Sequence, residues 1–205
     1  MLASAAVWAF LQFALLGGLP FFGYWIYQRR RYKRTFREVA RRAGLQIGAP
    51  RYLVYSLVLS LAGIALGALW PPPLAPLIRP GSTYRDFVGL GFNLSSVTAA
   101  LLYGVVKTGL TEEVLFRGLI AGSLSRRFPV IWANVMQACI FLLPHLAVLW
   151  IAPELWGFLL PVFAVMLFLG WIRIKSGSIL GSWLMHASGN VTMALIVAVR
   201  TAPGA

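Results

Sequence analysis

Long runs of apolar residues, separated by short polar or proline-rich segments, make up most of this 205-residue chain. The six runs cover residues 3–27, 52–70, 87–123, 130–150, 155–172 and 178–199. A helix needs about 20 apolar residues to cross the hydrocarbon core of a bilayer, where it satisfies its own backbone hydrogen bonds. The pattern therefore predicts an all-α fold, a polytopic transmembrane helical bundle with about six spans.

The third run is longer than a single crossing needs. It predicts either a span with a lead-in segment or a helix that is broken at Gly104 and Gly109. The connectors between the runs are short, so we expect one integral membrane domain over residues 1–205 and no separate soluble domain.

The composition agrees with a membrane protein. Hydrophobic residues make up 60% of the chain and charged residues only 11%, with a mean hydropathy of +0.79. These values exclude a soluble cytoplasmic enzyme. We expect membrane lipid to be the surrounding partner of most of the surface.

The net charge of +13 comes largely from one connector. Nine basic residues lie there: Arg29, Arg30, Arg31, Lys33, Arg34, Arg37, Arg41, Arg42 and Arg51. Positive charge beside a span favours the cytoplasmic side and contacts anionic head groups. No aromatic interleaving or nucleic-acid module accompanies the run, so we expect no nucleic-acid partner.

The remaining basic residues reinforce this orientation. Arg126, Arg127, Arg173 and Lys175 fall on the side of the basic connector, whereas the opposite side carries Arg79, Arg85 and Arg200. We expect a multi-pass protein of a bacterial inner (plasma) membrane, with both termini outside the cytoplasm.

Several ionisable residues lie inside the predicted spans. Glu112 and Glu113 are adjacent in the third run, and the two histidines of the chain, His145 and His186, fall in the fourth and sixth runs. Ionisable groups at membrane depth are costly, so they mark a functional site unless they are paired.

Helical spacing separates two roles among these residues. Glu113 and Arg117 are four positions apart and predict a structural ion pair, which leaves Glu112 free to act as a general base. His186 and Asn190 have the same spacing on the last span and present donors to one point. Phe141 and His145 share a face of the fourth span.

A depth estimate tests whether these groups meet. With a rise of about 1.5 Å per residue, Glu112 and His145 lie about 22 Å from the inner surface, and His186 about 12 Å. The offset of about 10 Å requires tilt or a broken third helix.

The catalytic residue types present in the chain exclude several kinds of intramembrane hydrolase. The single aspartate, Asp86, lies in a connector, which excludes an aspartyl protease. No His-Glu-x-x-His string occurs, and Ser188 lies on a different helix face from His186 without a nucleophile elbow. The remaining type is a glutamate that activates water, with histidine and amide groups stabilising an oxyanion.

The motifs Glu112–Arg117, Phe141–His145 and His186–Asn190 occur in this order. Together they resemble the motifs of the CAAX prenyl protease and bacteriocin-processing family of glutamic-type intramembrane endopeptidases (CPBP or Abi). The resemblance covers about residues 101–199, which we take as the catalytic core. Residues 1–100 hold the N-terminal spans and the basic connector.

The resemblance implies a role for each motif residue. Glu112 and His145 would activate the attacking water, while His186 and Asn190 would form the oxyanion hole. Glu113, Arg117 and Phe141 would support the site, with no metal or other cofactor. Pro144 departs from the family pattern and would bend the fourth span.

The expected activity is hydrolysis of a peptide bond near the end of a membrane-associated protein or peptide, such as removal of a C-terminal sorting or anchor segment. Two alternatives remain open. One is a zinc-dependent membrane hydrolase in which Glu112, His145 and His186 bind the metal. The other is a non-catalytic membrane immunity or scaffold protein.

Overall fold

A computed structural model describes residues 2–149, 153 and 156–204, without the side chain of Val148. This part of the chain is helical and contains no β-strand. Its seven helices are α1 (Leu2–Tyr32), α2 (Phe36–Arg42), α3 (Pro50–Leu69), α4 (Leu94–Leu124), α5 (Val130–Val148), α6 (Trp156–Ser176) and α7 (Leu180–Arg200).

Every helix except the short α2 is long and apolar enough to cross a membrane, which makes six candidate spans among the described residues. The predicted all-α polytopic bundle is confirmed. The chain is an integral, multi-pass membrane protein. The predicted end of the fourth run at Trp150 and start of the fifth at Leu155 lie outside the described residues.

The basic connector contains the short helix α2. Thr35 and Glu38 form a reciprocal capping box at its start, in which the Thr35 amide and hydroxyl donate to the Glu38 carboxylate. At its end, the Arg42 carbonyl accepts hydrogen bonds from Arg126 (3.2 Å) and Arg173 (3.1 Å). Part of the basic connector is therefore fastened to the ends of two spans.

Helix α4 is continuous, so the break expected at Gly104 and Gly109 is wrong. Two stretches of α4, Leu102–Leu110 and Glu113–Ala121, are π-helical, with i→i+5 hydrogen bonds. The glycines instead allow close packing, since a Cβ on Gly104 would lie 2.6 Å from Val191 of α7. The other alternative, a lead-in segment before the span, corresponds to the non-helical residues 88–93, and a short 3₁₀ helix, Thr83–Phe87, precedes them.

Helix α7 packs against both α3 and α4. One buried apolar cluster joins the 3₁₀ helix, α4 and α7 and includes Phe87, Tyr103 and Val197. A second cluster joins α5 and α6 through Phe141 and Leu169. Between these two clusters, α4 and α7 carry the ionisable residues, and this packing determines the geometry of the site.

Candidate active site

The Glu113–Arg117 ion pair lies in the interior of the bundle. Arg117 Nη1 is 3.0 Å from Glu113 Oε1, and both side chains have 0% exposure. The Arg117 guanidinium also lies 4.9 Å from the centre of the Phe141 ring. The pairing expected from the spacing of four residues is confirmed, and it neutralises a carboxylate that is closed to solvent.

His186 lies between the two adjacent glutamates. Its Nδ1 is 3.0 Å from Glu113 Oε1, within hydrogen-bond distance, and its Nε2 is 3.7 Å from Glu112 Oε2. Helices α4 and α7 therefore bring together three of the residues singled out in the sequence. The expected 10 Å offset in depth between Glu112 and His186 is absent from the structure.

The winding of α4 gives a physical reason for this difference. The π-helical stretch Glu113–Ala121 lies between Glu112 and the C-terminal end of α4. A π-helix has more residues in each turn and a smaller rise per residue than an α-helix, so Glu112 lies closer to that end than an α-helical rise predicts, which accounts for part of the difference.

The two glutamates differ in access to their surroundings. The Glu112 side chain is 26% exposed, whereas the Glu113 side chain is fully buried. Arg117 and His186 both contact Glu113 Oε1, and the whole Glu113 side chain is closed to solvent. Glu112 is the carboxylate that a water molecule or a substrate can reach.

His145 of α5 is oriented by Phe141, one turn earlier. Its Nδ1 lies 3.0 Å from the Phe141 carbonyl, and its ring stacks on the Phe141 ring with centroids 4.8 Å apart. A carbonyl only accepts hydrogen bonds, so Nδ1 carries the proton and Nε2 of the neutral ring keeps a lone pair.

Phe141 connects the parts of the site. Besides stacking on His145, its ring contacts the ring of Phe116 at 4.7 Å and the ring of His186 at 6.5 Å between centroids. Phe141 is only 2% exposed. Helix α5 continues through Pro144, and the contact between Phe141 and His145 spans this proline.

Asn190 is held by two residues that sequence reasoning missed. Its Oδ1 accepts a hydrogen bond from the Tyr84 hydroxyl (2.9 Å), and its Nδ2 donates one to Thr108 Oγ1 (2.8 Å). An amide nitrogen has two hydrogen atoms, so one remains for another acceptor. Thr108 precedes Glu112 by four positions, a helical spacing that signals proximity, whereas Tyr84 carries no sequence signal.

Tyr84 lies in the 3₁₀ helix outside the spans, and burial raises the pKa of its phenol well above the ordinary value of 10.0. The hydroxyl therefore stays protonated at neutral pH and can donate to Asn190. Its ring packs edge-on against Tyr103 of α4, with centroids 5.5 Å apart. The connector between α3 and α4, residues 70–93, thus contributes a residue to the candidate site.

The ionisable groups do not converge on one point. In the described ranges 2–149, 153 and 156–204, no group of three or more His, Cys, Asp or Glu side chains is arranged to hold a metal ion. Among these residues, Glu112, His145 and His186 are therefore not arranged as a metal-binding set.

The helical membrane bundle and its carboxylate–histidine cluster define the class of an intramembrane hydrolase. The model of the family described as type II CAAX prenyl endopeptidase Rce1-like matches residues 94–192, so this segment is similar to that CAAX protease family. No curated protein and no solved structure matches the chain.

The matched segment begins with α4 and ends within α7, so it contains all three motifs of the sequence analysis. The resemblance to the CAAX protease family is confirmed. The match supports, in general terms, a CAAX-type intramembrane endopeptidase. Tyr84 lies outside the matched segment.

Proposed function

We propose that the protein is a glutamic-type intramembrane endopeptidase that cleaves a peptide bond near the end of a membrane-associated protein or peptide. Removal of a C-terminal sorting or anchor segment is the form of this reaction that we favour. The observation that carries the proposal is the contrast between partly exposed Glu112 and buried, ion-paired Glu113 on either side of His186.

In this mechanism Glu112 and His145 activate the attacking water. The Glu112 carboxylate takes a proton from water while the water oxygen forms a bond to the scissile carbonyl carbon. His145 supports this step, since its Nε2 is free to accept a hydrogen bond when Nδ1 donates to Phe141. Collapse of the tetrahedral intermediate breaks the C–N bond, and the proton from Glu112 passes to the leaving amine.

His186 and Asn190 stabilise the oxyanion of that intermediate. The hydrogen bonds from Tyr84 and to Thr108 hold the Asn190 amide in one orientation, with one N–H left for the oxyanion. His186 is anchored at Nδ1 by Glu113 and directs Nε2 to the side of Glu112. In the imidazolium form both ring nitrogens donate, Nδ1 to Glu113 and Nε2 to the oxyanion. Donors that are held in place before the reaction require little reorganisation during it.

We place the protein in a bacterial inner membrane with both termini outside the cytoplasm. Helix α3 exposes apolar side chains such as Leu53, Val54 and Leu57 to the surroundings, while the basic connector would face the inner head groups. Helix α2 would lie at that surface, with Arg37 and Arg41 near anionic lipid.

The test is cleavage of a pool of membrane peptides with varied C-terminal tails, apolar and polar, by the purified full-length chain in liposomes. Glu112→Gln and His145→Ala are compared with Glu38→Gln, which changes an exposed carboxylate outside the site. We expect both site variants to lose about a hundredfold or more in rate, as for removal of a general base, and Glu38→Gln to keep full activity.

A parallel set with excess chelator tests the zinc alternative. Cleavage that chelator abolishes would contradict the glutamate mechanism in favour of a metal-dependent hydrolase. Unchanged cleavage by both site variants would show that Glu112 and His145 are not the catalytic residues. If wild type and Glu112→Ala bind the peptides equally well and neither cleaves them, the protein is a non-catalytic scaffold.

A further inference from the structure

A cavity of about 370 Å³ lies between α1, α4 and the connector that joins α3 to α4. Its walls are mainly apolar and aromatic, and they include Trp8, Phe87, Leu90 and Tyr103. This volume is within the range of sites that hold small organic ligands. None of the three sequence motifs contributes a residue to the lining.

The wall of the cavity carries one cation, Lys107. Of the residues that α4 contributes to the lining, Lys107 lies furthest from the start of the helix. The Gln12 amide donates to the Lys107 carbonyl (2.8 Å), which joins α1 to α4 at this level. The ammonium group lies 5.9 Å from the centre of the Tyr103 ring.

Lys107 lacks a nearby counter-ion in the described part of the chain, where the ion pairs involve other residues. The carboxylate that lines the same cavity belongs to Asp86, an exposed residue of the connector. A cation near the middle of a spanning helix is costly unless an anion compensates it. A ligand with an anionic group on an apolar body would compensate the Lys107 charge and pack against the apolar walls of the cavity.

The cavity shares its wall with the candidate active site. Tyr103 lines the cavity and packs against Tyr84, whose hydroxyl holds Asn190. Thr108, the residue after Lys107, accepts the hydrogen bond from Asn190. Lys107 precedes Glu112 by five positions of α4, which corresponds to no more than about 7 Å along the helix, or about two residues of an extended peptide.

We propose that Lys107 is a specificity-determining residue and that this cavity binds the free C-terminal carboxylate of the peptide substrate. The proposal rests on the proposed protease function. The Lys107 ammonium pairs with the carboxylate, while Trp8, Phe87 and Tyr103 contact the apolar side chains beside it. The enzyme then distinguishes a substrate end with a free carboxylate from the same end as an amide.

The experiment uses the peptide pool in two forms, with a free acid or an amide at the C-terminus, and the full-length chain in liposomes. We expect wild type to cleave the free-acid form at least about tenfold more efficiently, as loss of a charge-assisted hydrogen bond implies. Lys107→Gln should remove this preference by lowering kcat/KM for the free acid alone, and Lys107→Arg should retain it. Lys175→Gln, which removes an exposed charge elsewhere, should behave as wild type.

Equal cleavage of both forms by wild type, or an equal loss for both forms in Lys107→Gln, would overturn the proposal. A binding measurement with Glu112→Gln protein separates this result from failure of the protease function. In Glu112→Gln protein the free-acid peptides should bind about tenfold tighter than the amidated peptides. In the double variant that also carries Lys107→Gln, the two forms should bind with equal affinity.

Laurate distinguishes the two sources of a carboxylate on an apolar chain. If laurate binds in a Lys107-dependent manner while free-acid and amidated peptides bind equally, the cavity takes a lipid carboxylate and the proposal is wrong. If laurate competes with the free-acid peptides and not with the amides, the shared carboxylate site is supported. Cleavage that persists in Glu112→Gln would refute the protease mechanism without affecting the binding result.

Discussion

His186 Nδ1 lies 3.0 Å from Glu113 Oε1, although the two residues are 73 positions apart in the chain. This contact joins α7 to the buried ion pair of α4. His186 is thereby held with its other nitrogen toward Glu112, so the fully buried carboxylate positions a group beside the more accessible one.

Replacing the two glutamates should therefore have different effects. Glu113→Gln leaves the Arg117 charge buried without its partner, and we expect a loss of about 3 to 5 kcal/mol in the free energy of unfolding. Glu112→Gln should abolish activity and retain the wild-type unfolding midpoint. Thermal unfolding in detergent, with cleavage measured on the same samples, compares the two. Equal stability of both variants would contradict the structural role of Glu113.

Phe141 should position His145 through its ring. Phe141→Leu removes the stacking surface for His145, and we expect kcat to fall by about tenfold or more, as 1 Å misplacements do in active sites. Phe141→Tyr keeps the ring and should retain most of the activity. Similar losses of kcat in Phe141→Leu and Phe141→Tyr, or a loss explained entirely by unfolding, would argue against a role of the Phe141 ring in positioning His145.

The Tyr84 hydroxyl should matter through Asn190. Tyr84→Phe removes the donor to Asn190 Oδ1 and keeps the ring that packs on Tyr103. We expect kcat to fall by about tenfold with KM unchanged, since the lost interaction orients an oxyanion donor. Thr83→Ala removes the neighbouring hydrogen bond to Tyr103 and serves as the control. Equal activity of Tyr84→Phe and wild type would exclude this role.

The close packing of α4 on α7 should tolerate no side chain at Gly104. In Gly104→Ala the new Cβ would lie 2.8 Å from the backbone nitrogen of Val191, and we expect a loss of about 1 to 3 kcal/mol in unfolding free energy. Gly63→Ala in α3 is the matched control, because no heavy atom lies within 4 Å of its Cβ position. Gly63→Ala should leave stability unchanged or raise it. The comparison uses thermal unfolding of both variants.

The capping box of α2 should respond to pH. The hydrogen bonds from the Thr35 backbone and side chain lower the pKa of Glu38 below its ordinary value of 4.5. A lowered folded-state pKa stabilises the folded helix above pH 4.5 and loses this effect as the pH falls through the folded-state value. The protection of the α2 amides, measured as the ratio of the intrinsic to the observed exchange rate at each pH, should therefore fall at acidic pH in wild type. In Glu38→Gln this fall in protection should be absent.

Several features followed from local sequence. The six spans follow from runs of apolar residues, because a bilayer requires a helix of a certain length and composition. The Glu113–Arg117 pair follows from a spacing of four residues on one helix. Both are properties of single helices, so neither needs knowledge of a neighbour.

Other features depended on how the helices pack and wind. The position of His186 between two glutamates depends on how α7 is rotated against α4. The depth of Glu112 depends on the π-helical turns of α4, which an estimate from the α-helical rise does not include. The bond from Tyr84 to Asn190 spans 106 positions and begins in a connector without a periodic pattern. Sequence periodicity determines which face of a helix a residue occupies, whereas contacts between helices depend on packing of side chains that are distant in the chain.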